Sequence, residues 1–225
     1  MALRSKALNK TKRVRSVAAT PDGAREKLLK VALHLFSERG LDGVSVRDIS
    51  KEAKLNVSLV SYYFGGKEGL YEAILMEHMN EVHGHLRGVI EHFANLPISR
   101  EVFAEEIRLI VKNLVEARLR TPAIAQIMQR ERVDGLRHSR KVYEEIMAPL
   151  ADQLVGLVER AQAQGVLRRE LNARAYFICM IESLFGYFIF HDCKVKLFKD
   201  AYRFPKDKDA FIEHMVLIFT QGVFA

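Results

Sequence analysis

Cysteine is scarce in this chain of 225 residues, which has two, and tryptophan is absent. Cys179 and Cys193 lie 14 positions apart in a segment that reads as one helix, which would separate them by about 21 Å at roughly 1.5 Å per residue. That spacing excludes a disulfide between them, since Cα atoms more than about 7 Å apart cannot be bridged, and it suits a reducing compartment. Long apolar runs are also missing. The unbroken stretches, such as Leu184 to Phe190 with Gly186 inside, fall far short of the roughly 20 residues that cross a bilayer, so no membrane partner is expected. The first ten residues carry positive charge but no apolar segment behind it, which predicts no secretory signal and a cytoplasmic location. Catalytic signatures are lacking too. There is no G-x-S-x-G, G-x-G-x-x-G, phosphate-loop lysine motif or H-E-x-x-H, so neither an enzyme nor a cofactor is expected.

The composition is that of a folded globular protein, 49% apolar and 28% charged. The size allows one or two domains. Of the formal charge of +7, six units come from Arg4, Lys6, Lys10, Lys12, Arg13 and Arg15, with no acid before residue 22. A basic arm of residues 1–20 ahead of a near-neutral body suits a phosphate-seeking tail, because each cation that displaces a condensed counterion gains affinity without fixed geometry. A plain solubilising leader has the same composition.

Apolar spacing is helical throughout, as in Leu28, Ala32, Leu35 and Phe36, then Ile107, Ile110, Val111 and Leu114, then Ile212, Val216 and Phe219. This predicts an all-α fold of about nine helices. Thr20 before Pro21 caps a first helix that stops at Gly40. Ser45 and Asp48 form a capping box for a short second helix ending near Ala53, and Lys54-Leu55 makes a tight turn. Asn56 caps a third helix, Val57 to Tyr63, closed by Phe64-Gly65-Gly66. Two short helices joined by a tight turn under a longer one have helix-turn-helix geometry, placed at 21–66. The remaining helices are predicted at 67–95, 99–119, 122–132, 136–164 with a kink at Pro149, 172–194 and 208–223.

Residues 24–70 resemble the tetracycline-repressor (TetR) family of bacterial regulators. The match rests on Ala32-Leu-His-Leu-Phe-Ser-Glu-Arg-Gly40, Ser45-Val-Arg-Asp-Ile49 and Tyr62-Tyr-Phe-Gly-Gly-Lys-Glu-Gly-Leu70. The resemblance implies a homodimer with an N-terminal DNA-binding head and a C-terminal domain, 67–225, for effector binding and dimerisation. It turns Val57, Ser58, Ser61 and Tyr62 toward the groove and brings Tyr63 and Lys67 to phosphate. Arg47, with the helix-start residues Ser45 and Asn56, completes the DNA-binding set. The partners implied are a double-stranded operator and a small-molecule effector, and the activity implied is ligand-responsive regulation, more often repression. The chain departs from the family in having Lys54 where the turn often has glycine, and Val57 and Ser61 in the third helix. A helical small-molecule-binding or interaction protein without DNA binding is the alternative.

In the body, Phe103, Ile107, Met128, Tyr143, Met147 and Phe177, with Glu182, fit the Met and aromatic lining of a small-molecule pocket, though such spacing also builds ordinary core. The last two helices carry Ile181, Phe185, Phe188 and Ile189, then Phe211, Met215, Ile218 and Phe219. That is more apolar surface than one face needs, and a two-fold four-helix interface would bury it. His78, Glu81 and His85 share a helix face, but without a tight His pair they read as a polar stripe, and no metal is expected.

Overall fold

Helix starts and stops follow local chemistry in the computed structural model, which describes residues 21–192 and 202–224. The helices are α1 (Pro21–Arg39), α2 (Val46–Ala53), α3 (Ser58–Phe64), α4 (Lys67–Phe93), α5 (Arg100–Arg120), α6 (Pro122–Val133), α7 (Arg140–Val142), α8 (Ala148–Ala163), α9 (Ala173–Asp192) and α10 (Lys208–Gln221). A π turn, Tyr143–Met147, joins α7 to α8. Among the described residues the β structure is one isolated bridge, Leu167 with Phe224, so the class is all-α as expected. The basic arm, the Thr20 cap and Cys193 lie outside the described residues.

Gly40 ends α1 with φ 72° and its N–H on the Phe36 carbonyl, 2.9 Å, a left-handed stop that suits glycine. Ser45 and Asp48 form the capping box: the Asp48 N–H donates to Ser45 Oγ at 3.1 Å, and the Ser45 N–H to Asp48 Oδ2 at 2.9 Å. The Ser45 hydroxyl, which also donates to Asp48 Oδ2, and the Ser45 N–H together hold the Asp48 carboxyl below its usual range. Lys54 takes the left-handed conformation itself, φ 53°. Its N–H reaches the carbonyls of Lys51 and Ser50, so the turn closes without glycine. Asn56 Oδ1 accepts from the Ser58 N–H and hydroxyl, both at 2.9 Å, and α3 begins one residue later than the spacing suggests.

The segment 136–164 differs more. α6 ends in Asp134-Gly135, and Leu136 has φ 61°, which a non-glycine residue seldom adopts. A helix therefore cannot begin at Leu136. The next helix starts at Arg140, after the Glu131 carboxylate has accepted the N–H groups of His138 and Ser139, each at 3.0 Å. The kink expected at Pro149 takes the form of the π turn just before it. Proline offers no N–H to the carbonyl four residues back, and the chain widens to an i−5 bond, Ala148 N–H to Tyr143 O.

Two apolar clusters result. The head cluster gathers Leu28, Phe36, Ile49 and Val60 with Leu70, Ile74 and Leu75 of α4, and continues into Ile124 and Ile127 of α6. The body cluster gathers Leu86 and Ile90 of α4 with α5, α8, α9 and α10. α4 thus serves both, and the head's core does not stop at residue 66.

α6 is fastened to the head by polar bonds as well. Arg130 donates to the carbonyls of Phe36 at 2.9 Å and Glu38 at 3.2 Å, at the end of α1. The buried Tyr71 hydroxyl of α4 donates to Glu131 Oε1 at 2.9 Å, and burial with that carboxylate raises its pKa.

Glu106 is buried in the body, 1% exposed, with Oε1 unbonded. Burial pushes its carboxyl up to about 7, opposed by Arg160. Because its folded pKa lies above the unfolded value, the stability that Glu106 contributes is greatest in acid and falls as pH rises from about 4.5 to about 7. Glu106→Gln removes that loss, on the order of 3 kcal/mol. Urea melts at pH 5 and pH 8 should show the wild type weaker at pH 8 and the variant nearly level; equal slopes for both would contradict this.

Candidate nucleic-acid interface and internal cavity

α3 packs Val60 into the head core and leaves Val57, Ser58, Ser61 and Tyr62 exposed on its other side. Tyr62 is 78% exposed, with its ring edge-on to half-buried Tyr63 at 5.0 Å. A large, exposed, braced aromatic on a short helix is poised for contact, because nothing among the described residues uses its hydroxyl or outer face. Arg47 is exposed in the first turn of α2.

The other expected DNA contacts are partly engaged. Ser45 and Asn56 spend their side chains on caps, and the half-buried Lys67 ammonium donates to the Leu41 carbonyl at 2.9 Å. That bond ties the start of α4 to the loop before α2, a structural task that the sequence pattern does not reveal. Each of these three side chains would have to share or exchange its partner to reach DNA.

The body holds a partly open cavity of about 110 Å³ between α4, α5, α6, α9 and the π turn. Of the expected pocket residues, Met128, Tyr143 and Met147 line it. Phe103 and Ile107 are fully buried in the body core instead, and Phe177 packs against that core from its edge. Glu182 is exposed and paired with the cavity residue Arg132. Tyr143 and Met147 open and close the π turn, so the widening caused by Pro149 brings both side chains to the cavity.

Spacing does not single out the cavity's polar residues His78, Arg118, Gln129 and Arg132. Arginines are frequent over the whole surface, and nothing in their spacing sets two of them apart. Burial pushes the His78 imidazole below its ordinary range, with Arg120 acting the same way and Glu81 opposing. Among the described residues no group of three His, Cys, Asp or Glu side chains is placed to hold a metal.

The expected dimer face needs correction. Phe188, Phe211, Met215 and Phe219 are buried inside the protomer, where a partner cannot touch them. Ile181 and Phe185 are half-buried, and Phe185, Phe188 and Ile189 line the cavity. The apolar side chains left on the surface of these helices are Ile178, Ile189 and Phe190 of α9 and Leu217 and Ile218 of α10. α9 is apolar on all sides, so its periodicity has no phase from which to read the inward face. By length and composition alone Ala173–His191 could cross a bilayer, with mean hydropathy 1.4, although it contains no long unbroken apolar run. It packs on α8 as part of the body.

Two family models match the chain: bacterial regulatory proteins of the tetR family over residues 28–74, and the tetracyclin repressor-like C-terminal domain over residues 104–218. The HTH-type transcriptional repressor NicS of Pseudomonas putida is 28% identical over 171 residues, 74% of this chain and 76% of NicS. The probable HTH-type transcriptional regulator YttP of Bacillus subtilis is 45% identical over 53 residues, and the chain spans only 26% of YttP's length. The ketosteroid transcriptional regulator KstR2 of Mycobacterium tuberculosis shares the fold, with TM-score 0.68 at 17% identity over 93% of this chain and 100% of that one. The fatty acid degradation regulator FadR of Bacillus halodurans does so with TM-score 0.66, at 17% identity over 88% of this chain and 95% of that one. With its helix-turn-helix head and a C-terminal domain that matches over half its length, the chain belongs to the tetR family and is a DNA-binding transcriptional regulator with a ligand-binding C-terminal domain, not an enzyme.

Proposed function

We propose that the protein is a repressor that binds a pseudo-palindromic operator as a homodimer in the cytoplasm and leaves it when a small molecule occupies the cavity. The observation that carries this reading is the double duty of α6. Ala125, Met128, Gln129 and Arg132 face the cavity. Ile127, Arg130 and Glu131 of the same three turns hold α1 and α4 of the head. An occupant that shifts α6 therefore shifts the head that carries α3.

Such an occupant changes DNA affinity only if it binds the two arrangements differently. A cavity of about 110 Å³ is small beside the usual few hundred Å³ of a ligand pocket, so most occupants must enlarge it. Enlargement works against α6, and this supplies the differential binding. The names of relatives such as NicS favour repression over activation.

Dimerisation is supported by the exposed apolar face of α9 and α10. Only 28% of the apolar stretch Ala173–His191 is buried within the chain, a share too low for a helix meant to face water. A two-fold partner would cover Ile178, Phe190, Leu217 and Ile218. The basic arm would then supply one tail per operator half and steepen the salt dependence.

Two outcomes are expected. Selection of random duplexes should enrich a palindrome whose half-sites lie roughly 34 Å apart, with affinity lost by at least about tenfold in Tyr62→Ala at unchanged melting temperature; absence of any enriched sequence would contradict the DNA reading. Phe190→Glu with Ile218→Glu should convert a dimer to a monomer in sedimentation analysis without loss of helicity; a dimer that survives both charges would place the interface elsewhere.

A further inference from the structure

The charged groups of the cavity are already engaged. Arg132 donates to the Glu182 carboxylate, and its Cζ lies 5.6 Å from the Phe185 centroid. Arg118 Cζ lies 5.3 Å from the Phe188 centroid, and this guanidinium has a further interaction of its own. None of the lining residues is an aspartate or glutamate. Burial pushes the His78 imidazole below its ordinary range, which keeps it uncharged at neutral pH. An anion entering here would have to displace an existing partner, and a cation would find no counter-charge. Either would give up its hydration to a wall that is mostly apolar.

An uncharged occupant leaves these pairs intact. Met79, Val82, Met128 and Met147 stand beside the two phenylalanines, and methionine adapts its shape readily to what it packs against. The volume of about 110 Å³ falls below the roughly 150 Å³ of an engineered cavity that takes up benzene. The body that fits is thus a single ring or a short alkyl chain, with the methionines yielding to a little more.

One polar group of the wall stands out. Tyr143 is half-buried, brought to the cavity by the π turn, and its hydroxyl has no hydrogen-bond partner among the described residues. Its phenol feels the charges of Arg132, Glu182 and Glu131 through space, while burial raises its pKa, so the group remains an O–H donor at any working pH. A donor at that depth is satisfied by an acceptor oxygen on the occupant. A carbonyl provides one without adding a charge or a donor that would need a partner in turn.

We infer that the cavity takes an uncharged molecule of one ring or a short chain, with a carbonyl oxygen that accepts a hydrogen bond from the Tyr143 hydroxyl. Its action on DNA rests on the cavity being the effector site. Tyr143 begins the π turn and Arg132 lies on the helix that grips the head, so the occupant sits against both.

The test uses the full-length protein with cyclohexanone, acetophenone and the methyl ketones from butanone to octanone. Each ketone is compared with the alkene in which a methylene group replaces the carbonyl oxygen, and with the carboxylate of the same ring or chain. Affinity is measured by calorimetry and release of the selected operator by fluorescence anisotropy. At least one ketone should bind at least about tenfold more tightly than its carboxylate, and about fivefold or more above its alkene. Tyr143→Phe should bring that ketone down to its alkene while leaving alkene affinity and melting temperature unchanged. A carboxylate that binds as tightly as its ketone would overturn the uncharged class. A ketone no tighter than its alkene in the wild type, or a gap that persists in Tyr143→Phe, would overturn the hydrogen bond. Failure of every ketone and alkene to bind would overturn the inference outright. The full binding pattern without operator release would uphold the inference and sink the effector reading.

Discussion

Glu131 takes three donors from two places: the Tyr71 hydroxyl of α4 and the N–H groups of His138 and Ser139 ahead of α7. It is 3% exposed, and a carboxylate at such depth is stable only while its lone pairs are engaged. The constraint is mutual, since losing the carboxylate would strand a buried phenol and two amides at about 1–3 kcal/mol each. Much else in the architecture is arranged around this knot. α6 cannot rotate freely, α4 is fixed at its second turn, and the turn bearing the left-handed Leu136 is held in place. One residue earlier, Arg130 closes the last carbonyls of α1, so the head is attached through its backbone as well as its apolar core.

From that attachment follow the positions of the two surfaces that matter. α3 lies at the far side of the head core, with Tyr62 outward and Val60 inward. The cavity lies on the opposite side of α6, closed by the π turn and by α9. α9 in turn divides its apolar residues between the cavity (Phe185, Phe188) and the exposed surface (Ile178, Phe190). Ile189 belongs to both, being 39% exposed and on the cavity wall. A partner protomer covering that face, as proposed, would close one side of the cavity as well.

The head was legible because its signals are local. Ser45 with Asp48, Gly40 and Gly65 each fix a helix end within four residues of sequence, and the resemblance over this segment picks out the side of α3 that the fold leaves exposed. The positions tied up in structure were not legible: Lys67 reaches Leu41, 26 residues away, and no local pattern encodes that bond. In the body, Pro149 announced a break but not its π form, which puts Tyr143 and Met147 on the cavity. Phe103, Ile107, Phe211 and Phe219 have the same composition as a lining or an interface and turned out to be core, because burial depends on which helices meet. The arginines of the cavity were hidden by the abundance of arginine elsewhere.

The coupling of cavity to head through α6 is tested most directly by filling the cavity from α6 itself. Ala125→Phe adds about a benzene ring to a space of about 110 Å³. Operator affinity measured by anisotropy should fall at least about tenfold with helicity retained, and the fall should shrink when Arg130→Gln loosens the grip on α1. Operator affinity unchanged by Ala125→Phe, in a protein whose cavity no longer admits a ligand, would contradict the account.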